Sequence, residues 1–161
     1  MDCYRRDMSE IVSDGLWNGA LAAATTTAAA ALSGEIEDGK PLGPINAVSH
    51  ILWGDRAARR TGPSTKYTAS GLLLNAAAVT SWAVLQELIF CWQHRRKSIG
   101  QALAEGATTA GIAYVTDYHL VPERFTPGFE KRVSNKSLAG IYAVLAVSLG
   151  VGAYLRSRSK D

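Results

Sequence analysis

The sequence predicts an all-α integral membrane protein: a four-helix bundle with a short interfacial or re-entrant helix between the first and second spans. Three observations carry this. Tyr67 to Trp92 is a run of 26 residues with one formal charge, Glu87. Leu138 to Leu155 is 18 residues with none. Two further stretches, 11–33 and 98–121, have span length and are rich in Ala, Gly and Thr. A crossing helix needs about 20 mostly apolar residues, and the 67–92 run is long enough to cross with some tilt.

Composition bounds the rest. At 161 residues the chain suits one domain, 1–161. Lys and Arg total 17 against 14 acids, and these bases sit at segment ends. That pattern excludes the basic stripe of a nucleic-acid binder. Charged residues make up 19%, below the ~25% of soluble domains. Mean hydropathy is only +0.01, because the spans use small residues more than Leu and Ile. Cys3 and Cys91 have no zinc spacing. Both are expected on the reducing side, as free thiols.

Met1 to Glu10 is polar, and Ser13 or Asp14 is a candidate cap for the first helix. In 11–33, Asp14, Asn18 and Thr25 share one face. Gly19 and the alanines permit close backbone approach, so this span belongs against other helices rather than lipid. A cleaved signal peptide is the competing reading, and the acids ahead of the apolar run argue against it.

Gly34 to Lys66 is the longest connection. Within it, Pro44 to Arg59 reads as a short helix, with Ile45, Val48, Ile51 and Leu52 at helical spacing. Its apolar part is too short to cross, so an interfacial or re-entrant placement fits. Thr61-Gly62-Pro63-Ser64 ends it. The second span, about 67–92, follows and closes on the basic cluster Arg95-Arg96-Lys97.

The third span, about 98–121, carries two stripes. Gly100, Ala104, Ala107 and Gly111 form a small-residue face. Glu105, Thr109, Thr116 and His119 form a polar one. A helix with both is expected inside a bundle, since its charges are too sparse for a solvated face. Pro122 ends it, Pro127-Gly128 marks a turn, and the fourth span, about 138–155, ends in Arg156, Arg158 and Lys160.

Four spans put both termini on one side. Basic density near the span ends favours the cytoplasm for that side. Trp17 and Trp92 then lie near the inner interface, and Trp53 and Tyr67 near the outer one.

Ionisable and polar groups at membrane depth are the candidate functional residues. Glu87 and Glu105 flank one turn, where a carboxylate pair relays protons or holds a cation; the plainer reading is a structural ion pair with Arg95 or Arg96. Asp14, Asn18 and Asn75 complete the intramembrane set, and a helix–helix hydrogen bond suffices to explain Asn75. On the outer side, His50, Asp55, Asp117 and His119 have the donor types of a divalent-metal site. Asp117 and His119 diverge by about 200° on a continuous α-helix, so an ordinary interfacial polar network is favoured and no metal or cofactor is assigned. No phosphate-binding loop, zincin or hydrolase motif is present.

At SHILWGDRAARR and TDYHLVPERFTPGFE the chain resembles a group of small, polytopic bacterial inner-membrane proteins with no assigned activity. The resemblance runs from about Pro44 to Gly150. It implies a membrane protein of about four spans and transfers no catalytic residue. The expected role is a non-enzymatic component in the bilayer, packing with itself or with a membrane-protein partner. A small transporter or channel subunit using the intramembrane carboxylates, and a membrane enzyme or metal-binding protein using His50, Asp117 and His119, are the alternatives. A soluble helical protein is the remaining competitor.

Overall fold

The computed structural model describes residues 7–91 and 97–159, all helix, turn or loop, with no strand among the described residues. Helix α1 spans Met8–Asp38. Its N-cap is Asp7, whose side chain accepts from the Ser9 amide at 3.3 Å. The helix therefore starts ahead of Ser13 and Asp14, the expected caps, and Asp14 is buried in the bundle instead. Gly39 ends it in the left-handed conformation, φ 62°, with the Lys40 amide bonded back to the Gly34 carbonyl.

The expected single helix over 44–59 is three short ones: α2 (Leu42–Val48), α3 (His50–Trp53) and α4 (Asp55–Ala58). Residues 43–50 are all buried, packed on α1 and on the first turns of the next helix. The break follows from polar satisfaction. Asn46 donates to the carbonyls of Arg60 and Gly62 and accepts from Thr68, which ties the block to itself and to α5. A solvated or lipid-facing helix would leave such an amide to water.

Helix α5 spans Tyr67–Ile89, about 35 Å at 1.5 Å per residue. Trp92, Arg95 and Arg96 lie outside the described residues. Cys91 is disulfide-bonded, against the expectation of a free thiol; Cys3 also lies outside the described residues. Helix α6 spans Ile99–Val115 and opens on a capping box between Ser98 and Gln101. A π-turn over Thr116–Leu120 continues it, with the Val121 amide bonded to the Thr116 carbonyl. Two 3₁₀ turns, Glu123–Phe125 and Phe129–Lys131, lead to α7, Asn135–Arg158.

The long helices pack in the order α5, α1, α7, α6; α1 lies against both α5 and α7, and α6 lies against α7. Helices α5 and α6 barely meet, so that edge is open. Small residues set the close contacts. Gly15 and Gly19 face Val84 and Thr80 of α5, where a Cβ at either glycine would fall 2.7 Å from the opposing Cα. Gly106 meets the Ala146 carbonyl and Gly150 of α7. Between them lies a core of Ala22, Val79, Ala83, Ala110, Ala113, Leu145 and Leu149.

Two helices are long and apolar enough to cross a membrane: α5, with mean hydropathy 1.5, and α7, with 1.9. The most apolar window of α5 is 28% buried and that of α7 44%. Large polar side chains join the apolar core in the interior, and large apolar ones lie on the surface. Among the largest fully buried side chains are Gln86, Asn18, Asn46, Thr26 and Thr109. Leu73, Leu85, Ile89, Ile112, Val115 and Val147 are exposed.

Gly71 of α5 sets the seat of α2, because a Cβ there would lie 2.0 Å from the Ile45 carbonyl oxygen. Gly71→Ala is therefore expected to cost about 3 kcal/mol or more. Gly111→Ala, where a Cβ meets nothing, should be neutral or gain up to about 1 kcal/mol of helix propensity. Unfolding of both variants in detergent checks the contrast.

The far end of α1 is tied to α7 by Glu37, which accepts from the Ser134 amide at 2.8 Å, the Ser134 hydroxyl at 2.6 Å and the Ser137 hydroxyl. The Ser134 and Ser137 hydroxyls, then the Ser134 amide, hold this carboxyl below its ordinary value. Its contribution is full above the ordinary carboxylate pKa and is lost as pH falls through the depressed folded value. Wild type should lose thermal stability on acidification below about pH 4.5 more steeply than Glu37→Gln; melting curves across that range measure the difference.

Candidate functional site

Polar side chains collect in two places. The first lies inside the bundle at the end that carries both termini. Asp14 of α1 accepts from the Arg156 Nε of α7 at 2.7 Å. Asn18, one turn on, donates to the Leu149 carbonyl at 3.0 Å, and Gln86 of α5 donates to the same oxygen at 3.3 Å. Thr25 completes the face through the Ser148 hydroxyl at 2.7 Å. Asp14, Asn18 and Thr25 thus do share a face, turned toward α7.

Lys97 forms an ion pair with Glu105 at 2.5 Å, and both side chains are nearly fully buried. Glu87 is also buried, and its charge acts on Glu105. Glu87, late in α5, and Glu105, early in α6, are thus both buried and close enough to interact electrostatically. Lys97 is the cation that pairs with Glu105; Arg95 and Arg96 lie outside the described residues. Asn18 Oδ1, Gln86 Oε1 and Glu105 Oε1 are buried acceptors with no hydrogen-bond partner among the described residues.

Asn75 belongs elsewhere. It donates to Thr27 Oγ1 at 3.0 Å, and buried Val79 and Ala83 separate it from Glu87 along α5. Among the described residues, Asn75 therefore lies apart from Glu87 and Glu105.

The second place is a crevice on the open edge of the bundle, a cavity of about 290 Å³ between α5, α7 and the π-turn. Its wall is mostly apolar and aromatic, with Trp82, Phe125 and Phe129, while Asn75, Asp117 and Tyr142 supply polar groups. Exposed Ala77, Ala78 and Ser81 of α5 form part of the lining. The cavity exists because α6 diverges from α5 and the residues at its rim on α5 are alanines. The Tyr142 hydroxyl donates to Asp117 Oδ2 at 2.6 Å. Tyr118 packs on Tyr142 with ring centroids 5.9 Å apart and faces Glu130, whose other oxygen accepts from Thr126.

The outer-side candidates do not converge. His50 is buried, with Nδ1 2.9 Å from the Ala47 carbonyl and Nε2 3.4 Å from that of Glu123. Asp55 is exposed and pairs with Lys131 at 3.3 Å. His119 is exposed and packs edge-on against Tyr114. No group of three His, Cys, Asp or Glu side chains among the described residues has the geometry to hold a metal ion.

Sequence reasoning passed over Gln86, Lys97 as the partner of Glu105, and the Tyr118–Tyr142 pair. Gln86 carried a usable signal, since it is an uncharged amide beside Glu87 in an otherwise apolar run. Tyr142 carried none, because it reads as one more aromatic of the fourth span.

No family model, curated protein or solved structure matches this chain.

The Lys97–Glu105 pair yields a cycle of variants. Removing one partner leaves a buried charge alone, so Lys97→Met or Glu105→Leu should cost about 3–5 kcal/mol. The double variant should recover most of that loss. Unfolding of the three proteins in detergent measures the coupling.

Proposed function

We propose that this is an integral membrane protein whose four long helices all lie within the bilayer, and that it serves as a non-enzymatic membrane component packing with a second copy or with another membrane protein. The observation that carries the membrane reading is the pair of long apolar helices α5 and α7, together with Leu73, Leu85, Ile89, Ile112 and Val115 exposed on α5 and α6 while Asp14, Asn18, Gln86, Glu87 and Glu105 are buried. In water that arrangement exposes apolar area and hides polar groups, each unfavourable. In lipid both choices are favourable. Exposed Trp17 and Trp53 sit toward opposite ends of the molecule, in keeping with aromatic belts, and Lys66 lies 4.1 Å over the Trp53 ring. The resemblance to small bacterial inner-membrane proteins points the same way and suggests that membrane as the location.

Packing with a neighbour is supported by α6. Gly100, Ala104, Ala107 and Gly111 are all exposed, and a Cβ at either glycine meets nothing within 4 Å. The polar stripe of the helix turns inward at Glu105 and Thr109, leaving the small-residue face to the outside. Such a face gains little from lipid chains and much from another helix that approaches closely.

Orientation has two opposed indicators. Basic density places the termini in the cytoplasm. The disulfide at Cys91, at the same end of the bundle, belongs to an oxidising compartment. A reporter fused to the C-terminus decides between them.

Carbonate extraction should leave the protein in the membrane pellet. In mild detergent, cross-linking should trap a complex that Gly100→Leu with Gly111→Leu abolishes, with the melting temperature unchanged. Release into the supernatant defeats the membrane reading; an unaltered complex in the double variant defeats the α6 interface.

A further inference from the structure

We propose that the crevice between α5 and α7 is a binding site for a small lipophilic organic cation, an ammonium carried on an apolar body that enters from the bilayer side. The site is distinct from the α6 face and needs no partner protein. Its volume, about 290 Å³, is at the lower edge of the ~300–1,000 Å³ range of ligand pockets, so the ligand is compact.

Three features select the chemistry. The first is the wall: Trp82, Phe125, Phe129 and Tyr142 present four aromatic rings to one cavity. Aromatic faces attract cations, most strongly where water is excluded. The second is the carboxylate. Asp117 lines the cavity, and its Oδ2 takes the one hydrogen bond from Tyr142. Glu130 adds a second negative charge behind the tyrosines and acts on Asp117. The nearby bases are engaged elsewhere: Lys131 with Asp55, and Arg132 with Asp38 at 2.7 Å. No cation among the described side chains answers this pair, whereas Asp14 and Glu105 each have one inside the protein. The third is access. Ala77, Ala78 and Ser81 are exposed and line the cavity at the middle of α5, a helix apolar enough to cross a membrane. A hydrophilic ligand would have no route there, and an apolar cation partitions into the surrounding lipid first.

The π-turn is what aims the carboxylate. By adding a residue to the turn after Val115, it places Asp117 toward α7 and leaves His119 outside. Such turns recur where a helix must present a side chain away from its regular register.

The test uses the full-length protein in detergent at pH 8, with Trp17, Trp53 and Trp92 replaced by Phe so that Trp82 is the sole indole. The probe is benzyltrimethylammonium, and the control is neopentylbenzene, its uncharged carbon isostere. Expected results are saturable quenching or shift of Trp82 emission by the cation, with an affinity at least tenfold above the isostere. Asp117→Asn should erase that preference while leaving the isostere unaffected. Ala78→Phe, a substitution at the exposed rim that leaves the core intact, should block both. Equal binding of cation and isostere, a preference surviving Asp117→Asn, or no saturable response to the cation each overturns the proposal. None of these outcomes bears on membrane extraction or on the α6 interface, which are read separately.

Discussion

The structure depends on backbones approaching closely where glycine allows it. Gly15 and Gly19 bring α1 onto α5, Gly106 and Gly150 bring α6 onto α7, and Gly152 leaves room for the Asn18 amide, whose Oδ1 would lie 2.0 Å from a Cβ there. Close approach makes main-chain carbonyls reachable by short side chains. Leu149 then serves as a common acceptor for Asn18 of α1 and Gln86 of α5. Three helices are registered on one carbonyl. A methyl group at any of these glycines separates helices and breaks hydrogen bonds together.

The placement of large apolar groups follows from the same constraint. Small side chains fill the inward contacts of α5 and α6, the leucines of the core come from α7, and Leu73, Leu85, Ile89, Ile112 and Val115 turn outward. Several buried polar groups are held by side chains from elsewhere in the fold: Asp14 by Arg156 of α7, Asn75 by Thr27 of α1, and Glu105 by Lys97, just ahead of α6. Where the glycines run out, between α5 and α6, the helices diverge and a crevice remains. The tightness of three helix pairs and the looseness of the fourth edge are two sides of one packing solution.

The helical segments were legible because their signals are local. Tyr67 marked the start of α5, and Pro122 followed the end of the π-turn. The shared face of Asp14, Asn18 and Thr25 was legible for the same reason, since spacing along one helix needs no partner. The block over 43–50 was not. Its hydrophobic spacing suggested one amphipathic helix, but the Asn46 amide bonds residues 14 and 16 positions away. Those contacts break the segment into short helices and bury His50, which the sequence had grouped with Asp55, Asp117 and His119 in one outer-side polar cluster.

By itself, then, the sequence determined an all-helical chain, the extent of its long helices to within a few residues, and two helices apolar enough to cross a membrane. It also determined that carboxylates flank the turn between α5 and α6. The tertiary structure alone decided that the polar stripe of α6 faces inward and its glycine stripe outward, that Lys97 answers Glu105, and that Asp117 meets Tyr142 across a crevice while His119 does not. The physical reason is that periodicity defines the faces of one helix, whereas the neighbour each face receives depends on the angles at which glycine contacts let separate helices cross.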